Sequence, residues 1–483
     1  MPRPLPTGGC TLPPGAVDNH VPCIPGRGQC RVPVTVPMAH IRQLVLTALA
    51  WSCLIPSALA QPSQPSPLEP EVRQRAAAVE QKVIAWRRDI HQHPELGDQE
   101  KRTAGIVADH LRRLGIEVRT GIARTGVVGI LKGGQPGPVV ALRADMDALP
   151  VTEPDGLSFA SKAKGTYNGQ QVDLMHACGH DAHTAMLMGV AEVLAGMRER
   201  LPGTVMFLFQ PAEDGSSLYP ANAGKSWGAK LMLEEGVFTE MKPGAVFAVH
   251  VMPGPSGQIS HRTGPIAASS DELAIRVTGK QGHGGMPWNT IDPITTSATI
   301  IAGLQTIVSR RVDLTTSPAV ITIGTIHGGS RANIVPDFVE MSGTIRTYNE
   351  AVREQVGREI RITAQKIAES AGATAEVTIT KMYETTVNDE ALTTRMQPVL
   401  DRAADRRVAR ALLSGASEDF SFLARQTPGL YVFLGVTPHD QDVARAAPNH
   451  SPQFFVDESA LVVGTRTLAS LAVTFMAGGT ARN

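Results

Sequence analysis

Four short apolar runs recur along the chain, and each breaks off into polar residues at its carboxyl end. Residues 139–144 run into Asp145-Met146-Asp147, and residues 204–209 into Gln210-Pro211-Ala212-Glu213-Asp214. Residues 245–249 run into His250, and residues 430–434 are followed, after a loop, by Asn449-His450. Each run is nearly continuous in apolar side chains, the pattern of strands covered on both faces of a largely parallel sheet. Amphipathic stretches over 184–197 and 228–235 intervene and predict helices. The implied fold class is α/β, with a catalytic domain whose central, largely parallel sheet is flanked by helices. Ligands of such sheets bind beyond the carboxyl ends of the strands, where these acids and histidines fall.

Between 264 and 382 the order changes to strand, helix, strand, strand, helix, strand, over 273–277, 292–311, 319–326, 337–347, 350–371 and 373–380. That is a ferredoxin-like order. It predicts an inserted α+β domain, leaving 71–263 and 383–483 as the two parts of the catalytic domain. An insertion so placed suits a lid or a dimerisation surface.

The amino-terminal part reads differently. Residues 1–37 are rich in Pro and Gly, carry three of the five cysteines and show no helix or strand period, as an over-long, disordered start would. From Met38 a positive residue (Arg42), an apolar stretch over 44–59 and Ala58-Leu59-Ala60 before Gln61 make a signal peptide over 38–60. Export to a bacterial periplasm is expected, with no stable membrane insertion after cleavage. An uncleaved anchor is the alternative, while the bulk of Trp51 disfavours a lipoprotein through Cys53. Residues 61–70 form a Pro/Ser linker. Lys+Arg and Asp+Glu balance at 45 each, which gives no basic surface for nucleic acid.

With the signal removed, Cys178 is the one remaining cysteine, in His176-Ala177-Cys178-Gly179-His180-Asp181-Ala182-His183. A lone thiol belongs to no disulfide framework, so among imidazoles it reads as a metal ligand or a nucleophile. Asp181 can serve the amino-terminal end of a helix starting near Thr184, with Cys178-Gly179-His180 in the loop before it and the helix dipole favouring a thiolate. His91 and His93 read as the end of a helix before Pro94. Cys178, His180, Asp214, His250 and His450 offer soft, borderline and hard donors. Five ligands are too many for one open catalytic zinc and suit two ions sharing a thiolate. Glu213, beside Asp214, is the candidate general base.

Together, Asp145-Met146-Asp147-Ala148-Leu149-Pro150, the Cys178 motif, Gln210-Pro211-Ala212-Glu213-Asp214 and Ala248-Val249-His250 resemble the M20 metallopeptidases. The resemblance is nearest to their amidohydrolase branch of hippurate hydrolases, auxin-conjugate hydrolases and N-acyl-amino-acid carboxypeptidases, and it spans about residues 75 to 475. It implies two divalent ions per subunit, Mn²⁺ or Zn²⁺, with Co²⁺ or Ni²⁺ also compatible. Cys178 would bridge them, His180 and His250 completing one site and Asp214 and His450 the other. Glu213 would be catalytic, and Asp147 would orient a ligand from outside. His283 would stabilise the oxyanion, within a subunit or across a dimer interface, and Asn333 and Arg346 would hold the substrate's carboxylate or polar tail. The implied substrate is an N-acyl amino acid or short peptide, and the implied assembly a homodimer through the insertion. Asp214 departs from the family, which commonly has Glu there.

Other chemistries are also written in the chain. Gly224-Lys225-Ser226-Trp227-Gly228 matches G-x-S-x-G, although a loop rather than a strand precedes it. Cys178 with His180 as base is a possible nucleophile pair that leaves the other clusters unexplained. A dipeptidase or deacetylase of the same family, or a silent metal-binding relative, completes the alternatives. The last should lack an acid such as Glu213.

Overall fold

The computed structural model describes residues 65–220 and 223–479, so the start (1–37), the signal peptide (38–60) and the beginning of the linker lie outside the described residues. The main sheet has eight strands in the spatial order Glu117–Ile122, Gly126–Lys132, Pro202–Gln210, Gln135–Asp145, Ala245–Pro255, Gly429–Thr437, Ile259–His261 and Val408–Arg410. The four strands at its centre, from Pro202–Gln210 to Gly429–Thr437, run parallel to one another. Antiparallel strands are added on both sides. The continuous apolar runs are therefore the inner strands, as their burial on both faces requires.

Helices Glu69–Gln92, Lys101–Arg113, His180–Ala195, Glu390–Ala403 and Leu461–Gly479 cover one face, over a core that includes Val83, Leu111, Met186, Phe207 and Leu471. The other face is covered by the short helices Gly228–Glu234 and Phe420–Ala424, around Met232, Phe420, Tyr431 and Phe433. One expectation changes here. The helix placed at Thr184 begins at His180 and is buried on nearly every side, because it lies between the sheet and the helices Glu69–Gln92 and Leu461–Gly479. Leu461–Gly479 is apolar enough for a membrane span, but its apolar surface is spent in this core.

The insertion forms a separate antiparallel sheet in the spatial order Ala319–His327, Phe338–Thr347, Ser270–Thr278, Thr374–Tyr383. Helices Pro293–Arg310 and Glu350–Ser370 pack on it through Ile300, Leu304, Val356 and Ile360, giving the ferredoxin-like arrangement. Asp292 and Asn349 each accept two backbone N–H bonds at the helix starts, so they are caps rather than helical residues. Buried Arg353 joins the insertion to the main body. It binds Asp271 and Glu384, and Glu384 also takes Arg425 just beyond the helix Phe420–Ala424.

Candidate metal centre

The Cys178 loop turns at Gly179, whose φ of +92° is left-handed. A Cβ at that position would stand 2.2 Å from Val251 Cγ2, so only glycine fits. The turn places Cys178 in the loop and His180 as the first helical residue, which corrects the expectation that both lie in the loop. His250 was expected at a strand end. It lies inside Ala245–Pro255, because pairing with Gly429–Thr437 continues past it. His450 has φ +70° and is held by its own N–H on the carbonyl of Ala177, 2.8 Å away.

These segments converge. Cys178 Sγ lies 3.5 Å from His250 Nε2 and 3.3 Å from His450 Nε2. Two triads with donor atoms within 4.8 Å of one another share that sulfur: Cys178, His180, His250 and Cys178, Asp214, His450. Asp214, despite its shorter arm, reaches to 3.5 Å from His450 Nε2.

Ring orientation supports ligation. His250 Nδ1 is 2.8 Å from the carbonyl of Val251, and His180 Nδ1 is 2.9 Å from the carbonyl of Asp147. A carbonyl only accepts, so both Nδ1 atoms donate, and Nε2 is the ring nitrogen that each histidine turns toward the cluster. His180 Nε2 is buried without a hydrogen-bond partner. An orphaned acceptor among thiol, imidazole and carboxylate donors fits a divalent ion of the borderline class. His183 is not part of the set, because its Nε2 accepts the N–H of Val251 at 2.8 Å and its Nδ1 binds Asp145 at 2.5 Å. His91, beyond ending its helix, binds Asp181 at 2.8 Å and Glu153 at 2.9 Å, and Asp181 in turn takes Arg87. These bonds brace the Cys178 loop from below.

Asp147 organises the acids. Its carboxylate accepts the N–H of Glu213 at 3.0 Å and of Asp214 at 2.9 Å, while facing His180 Nδ1 at 3.1 Å. Glu213 is buried, with Oε2 3.8 Å from His180 Nε2. Burial, then the carboxylates of Glu418, Asp214 and Asp419, push its pKa well above the usual carboxylate range. Burial likewise pushes the Cys178 thiol up to about 12. The helix terminus alone therefore does not yield a thiolate, and a cysteine-nucleophile mechanism lacks its reactive form. A cation bound at this sulfur supplies the missing positive charge.

Sequence reasoning passed over the frame behind Glu213. Arg143, fully buried in Gln135–Asp145, binds Asp145 at 2.8 Å, Glu418 at 2.8 Å and Asp419 at 3.0 Å. Tyr431 donates to Glu418 at 2.6 Å. An arginine inside an otherwise apolar strand was the available signal.

A cavity of about 420 Å³ opens over the two triads and extends to Arg346, with Tyr383, Met252 and Phe433 on its walls. Arg346 binds Ser417 Oγ at 2.8 Å and forms no ion pair among the described residues. His283 and Asn333 are not brought there. Both are exposed, His283 in the segment Gly282–His283 and Asn333 just before Ile334–Val335, with which that segment pairs, and Gly284 N–H donates to Asn333 O at 2.9 Å. That local pairing fixes them at the edge of the insertion, outside the cavity lining of the single chain. Ser226 donates to Glu234 at 2.8 Å from a loop with no strand before it, so G-x-S-x-G is not a nucleophile turn here. A larger cleft of about 1010 Å³, beside Glu69 and Arg402, carries no comparable donor cluster.

The model of peptidase family M20/M25/M40 matches residues 141–474. Thermostable carboxypeptidase 1 of Saccharolobus solfataricus is 41% identical over 82% of this chain and 96% of its own length. N-acetylcysteine deacetylase of Bacillus subtilis is 38% identical over 81% and 96%, and IAA-amino acid hydrolase ILR1-like 2 of Arabidopsis thaliana 36% over 82% and 85%. Among solved structures, the Bacillus subtilis YXEP protein, a dinuclear metal-binding peptidase, superposes with a TM-score of 0.68 at 35% identity, over 83% of this chain and 99% of that one.

Proposed function

The chain belongs to peptidase family M20/M25/M40 and is a metal-dependent hydrolase of amide bonds, and from that premise we propose that it cleaves N-acyl amino acids or similar small conjugates. The observation that carries this reading is one cavity with the shared-thiol triads at one end and an unpaired guanidinium, Arg346, at the other. A planar guanidinium matches a carboxylate, and the substrate would lie with its carboxylate on Arg346 and its amide over Cys178.

Two divalent ions held by Cys178, His180 and His250 and by Cys178, Asp214 and His450 would lower the pKa of water and polarise the amide carbonyl. Glu213 takes the proton of the attacking water and passes it to the leaving amine. Asp147 holds the Glu213 and Asp214 backbone in place for this. Tyr383, donating to the carbonyl of Glu213 at 2.6 Å, holds the same peptide from the insertion.

His283 and Asn333 serve catalysis only if a second copy of the chain brings them to the cavity, and we propose a homodimer through the insertion for that reason. The exposed strand Ala319–His327, with Val320 and Ile326 outward, is the edge available for it. Export to the periplasm through residues 38–60 is proposed on the Ala58-Leu59-Ala60 pattern alone. The deciding experiment is a hydrolysis screen of N-acetyl-, N-benzoyl- and indoleacetyl-amino acids and dipeptides with Mn²⁺, Zn²⁺ and Co²⁺ in turn. Turnover of acyl amino acids is expected. Turnover of dipeptides alone, or of nothing, refutes the substrate assignment.

A further inference from the structure

One buried acid near the site has no role in the chemistry above. Glu100 is wholly inaccessible to solvent and has no ion-pair partner among the described residues. Both of its carboxyl oxygens are used. Oε1 accepts the N–H of Ala212 at 2.8 Å, and Oε2 receives the hydroxyl of Thr125 at 2.5 Å. Ala212 directly precedes Glu213 and has φ +50°, a left-handed conformation that an alanine adopts only under constraint.

The turn around Glu213 is gripped at its other end by the same segment. Gly97 O accepts both the N–H and the hydroxyl of Ser217, at 3.1 Å and 2.6 Å, and Gln99 Nε2 donates to Ser217 Oγ at 2.8 Å. Gly97 lies so close that a Cβ there would stand 2.2 Å from Gly215 O. Residues 97–100 thus hold 212–217 as a staple holds a loop, with Asp147 on the inner side taking the Glu213 and Asp214 N–H groups.

We propose that Glu100 is a positioning residue: its carboxyl group pins the left-handed peptide at Ala212 and so fixes where Glu213 and Asp214 are presented. Burial and the nearby Asp147 carboxylate raise its pKa to about 8, against the hydrogen bonds from Thr125 and Ala212, which lower it. Reach and hydrogen bonding are what hold the turn. The inference rests on the reading of Glu213 as the proton carrier.

This predicts an inversion of the usual conservative order. Glu100→Gln keeps a carbonyl for Ala212, the Thr125 hydroxyl can turn to accept from the new amide, and most of the turnover should be retained. Glu100→Asp keeps the acid but is one methylene too short to reach Ala212, and should lose about 10²-fold in kcat with KM little changed. Ala212→Gly, which accepts the left-handed backbone without a staple, should restore part of the loss in Glu100→Asp. The assay uses the full chain loaded with Mn²⁺ and the fastest N-acyl amino acid of the screen. Should Glu100→Asp fail to fold, Glu100→Gln decides alone: wild-type-like turnover supports the staple, and a loss like that of a catalytic acid overturns it. Glu100→Asp turning over like wild type also overturns it. An inactive wild type on the whole panel would instead refute the reading of the site.

Discussion

Replacing Glu213 by Gln exchanges one side-chain oxygen for an amide nitrogen and changes little else. The Glu213 backbone is fixed independently of its side chain, by Asp147 on its N–H at 3.0 Å and by Tyr383 on its carbonyl at 2.6 Å. The amide oxygen can still accept the N–H of Asp419, now 3.4 Å away. Replacing the carboxyl also removes a group that Glu418, Asp214 and Asp419 crowd with like charge, so folding stability should not fall. The five candidate metal ligands stay where they are. What disappears is the proton acceptor. General acid–base catalysis by one positioned carboxylate contributes about 10²–10⁴-fold, which is ~2.7–5.4 kcal/mol of barrier. The expected result is a kcat lower by that factor with KM and metal content preserved. The assay pairs initial rates on an N-acyl amino acid with metal analysis of the same sample. Unchanged kcat refutes the role of Glu213, and loss of metal with loss of rate shows that Glu213 is a ligand instead.

Arg346→Met should raise KM by about 10- to 100-fold with kcat largely kept, since a hydrogen bond to a charged group is worth ~1.5–3 kcal/mol. The variant should also cease to prefer free-carboxylate substrates over their carboxamides, and a retained preference counts against a carboxylate at Arg346. Glu100 makes a prediction about stability. Its folded pKa, raised to about 8 from the ordinary glutamate value of 4.5, means that the native state keeps a proton the unfolded chain has lost between those pH values. The stability it allows is full below the unfolded pKa and falls by roughly 1.4 kcal/mol per pH unit until the folded pKa is passed. In chelator-treated protein, the stability of Glu100→Gln relative to wild type should therefore grow between about pH 5 and 8. Denaturant unfolding across that range checks it, and parallel curves contradict it.

The legible parts of the molecule were those written in local pattern. Apolar runs ending in Asp145 and Gln210 announced inner strands, and the period change after 264 announced the insertion with its two capped helices. The donors Cys178, His180, Asp214, His250 and His450 could be named as candidates from their donor types and their places in the Cys178 motif and after apolar runs, and the structure brings them into two clusters sharing one sulfur. Position within elements was harder. His250 looked like a strand end because the polar ring interrupts the apolar run, yet pairing with Gly429–Thr437 carries the strand onward. Contacts between distant segments left no local trace: Arg143 with Glu418, Tyr383 with Glu213, and Glu100 with Ala212 are separated by 275, 170 and 112 residues. His283 and Asn333 stand outside the cavity because their position follows from pairing at the insertion's edge, which the Gly-rich motif does not report.

Metal stoichiometry tests the shared thiol most directly. Wild-type protein equilibrated with Mn²⁺ or Zn²⁺ and desalted should hold about two ions per chain, His250→Ala and His450→Ala about one each, and Cys178→Ala close to none. A wild type that binds a single ion, or a Cys178→Ala protein that still binds two, contradicts a centre built around one bridging sulfur.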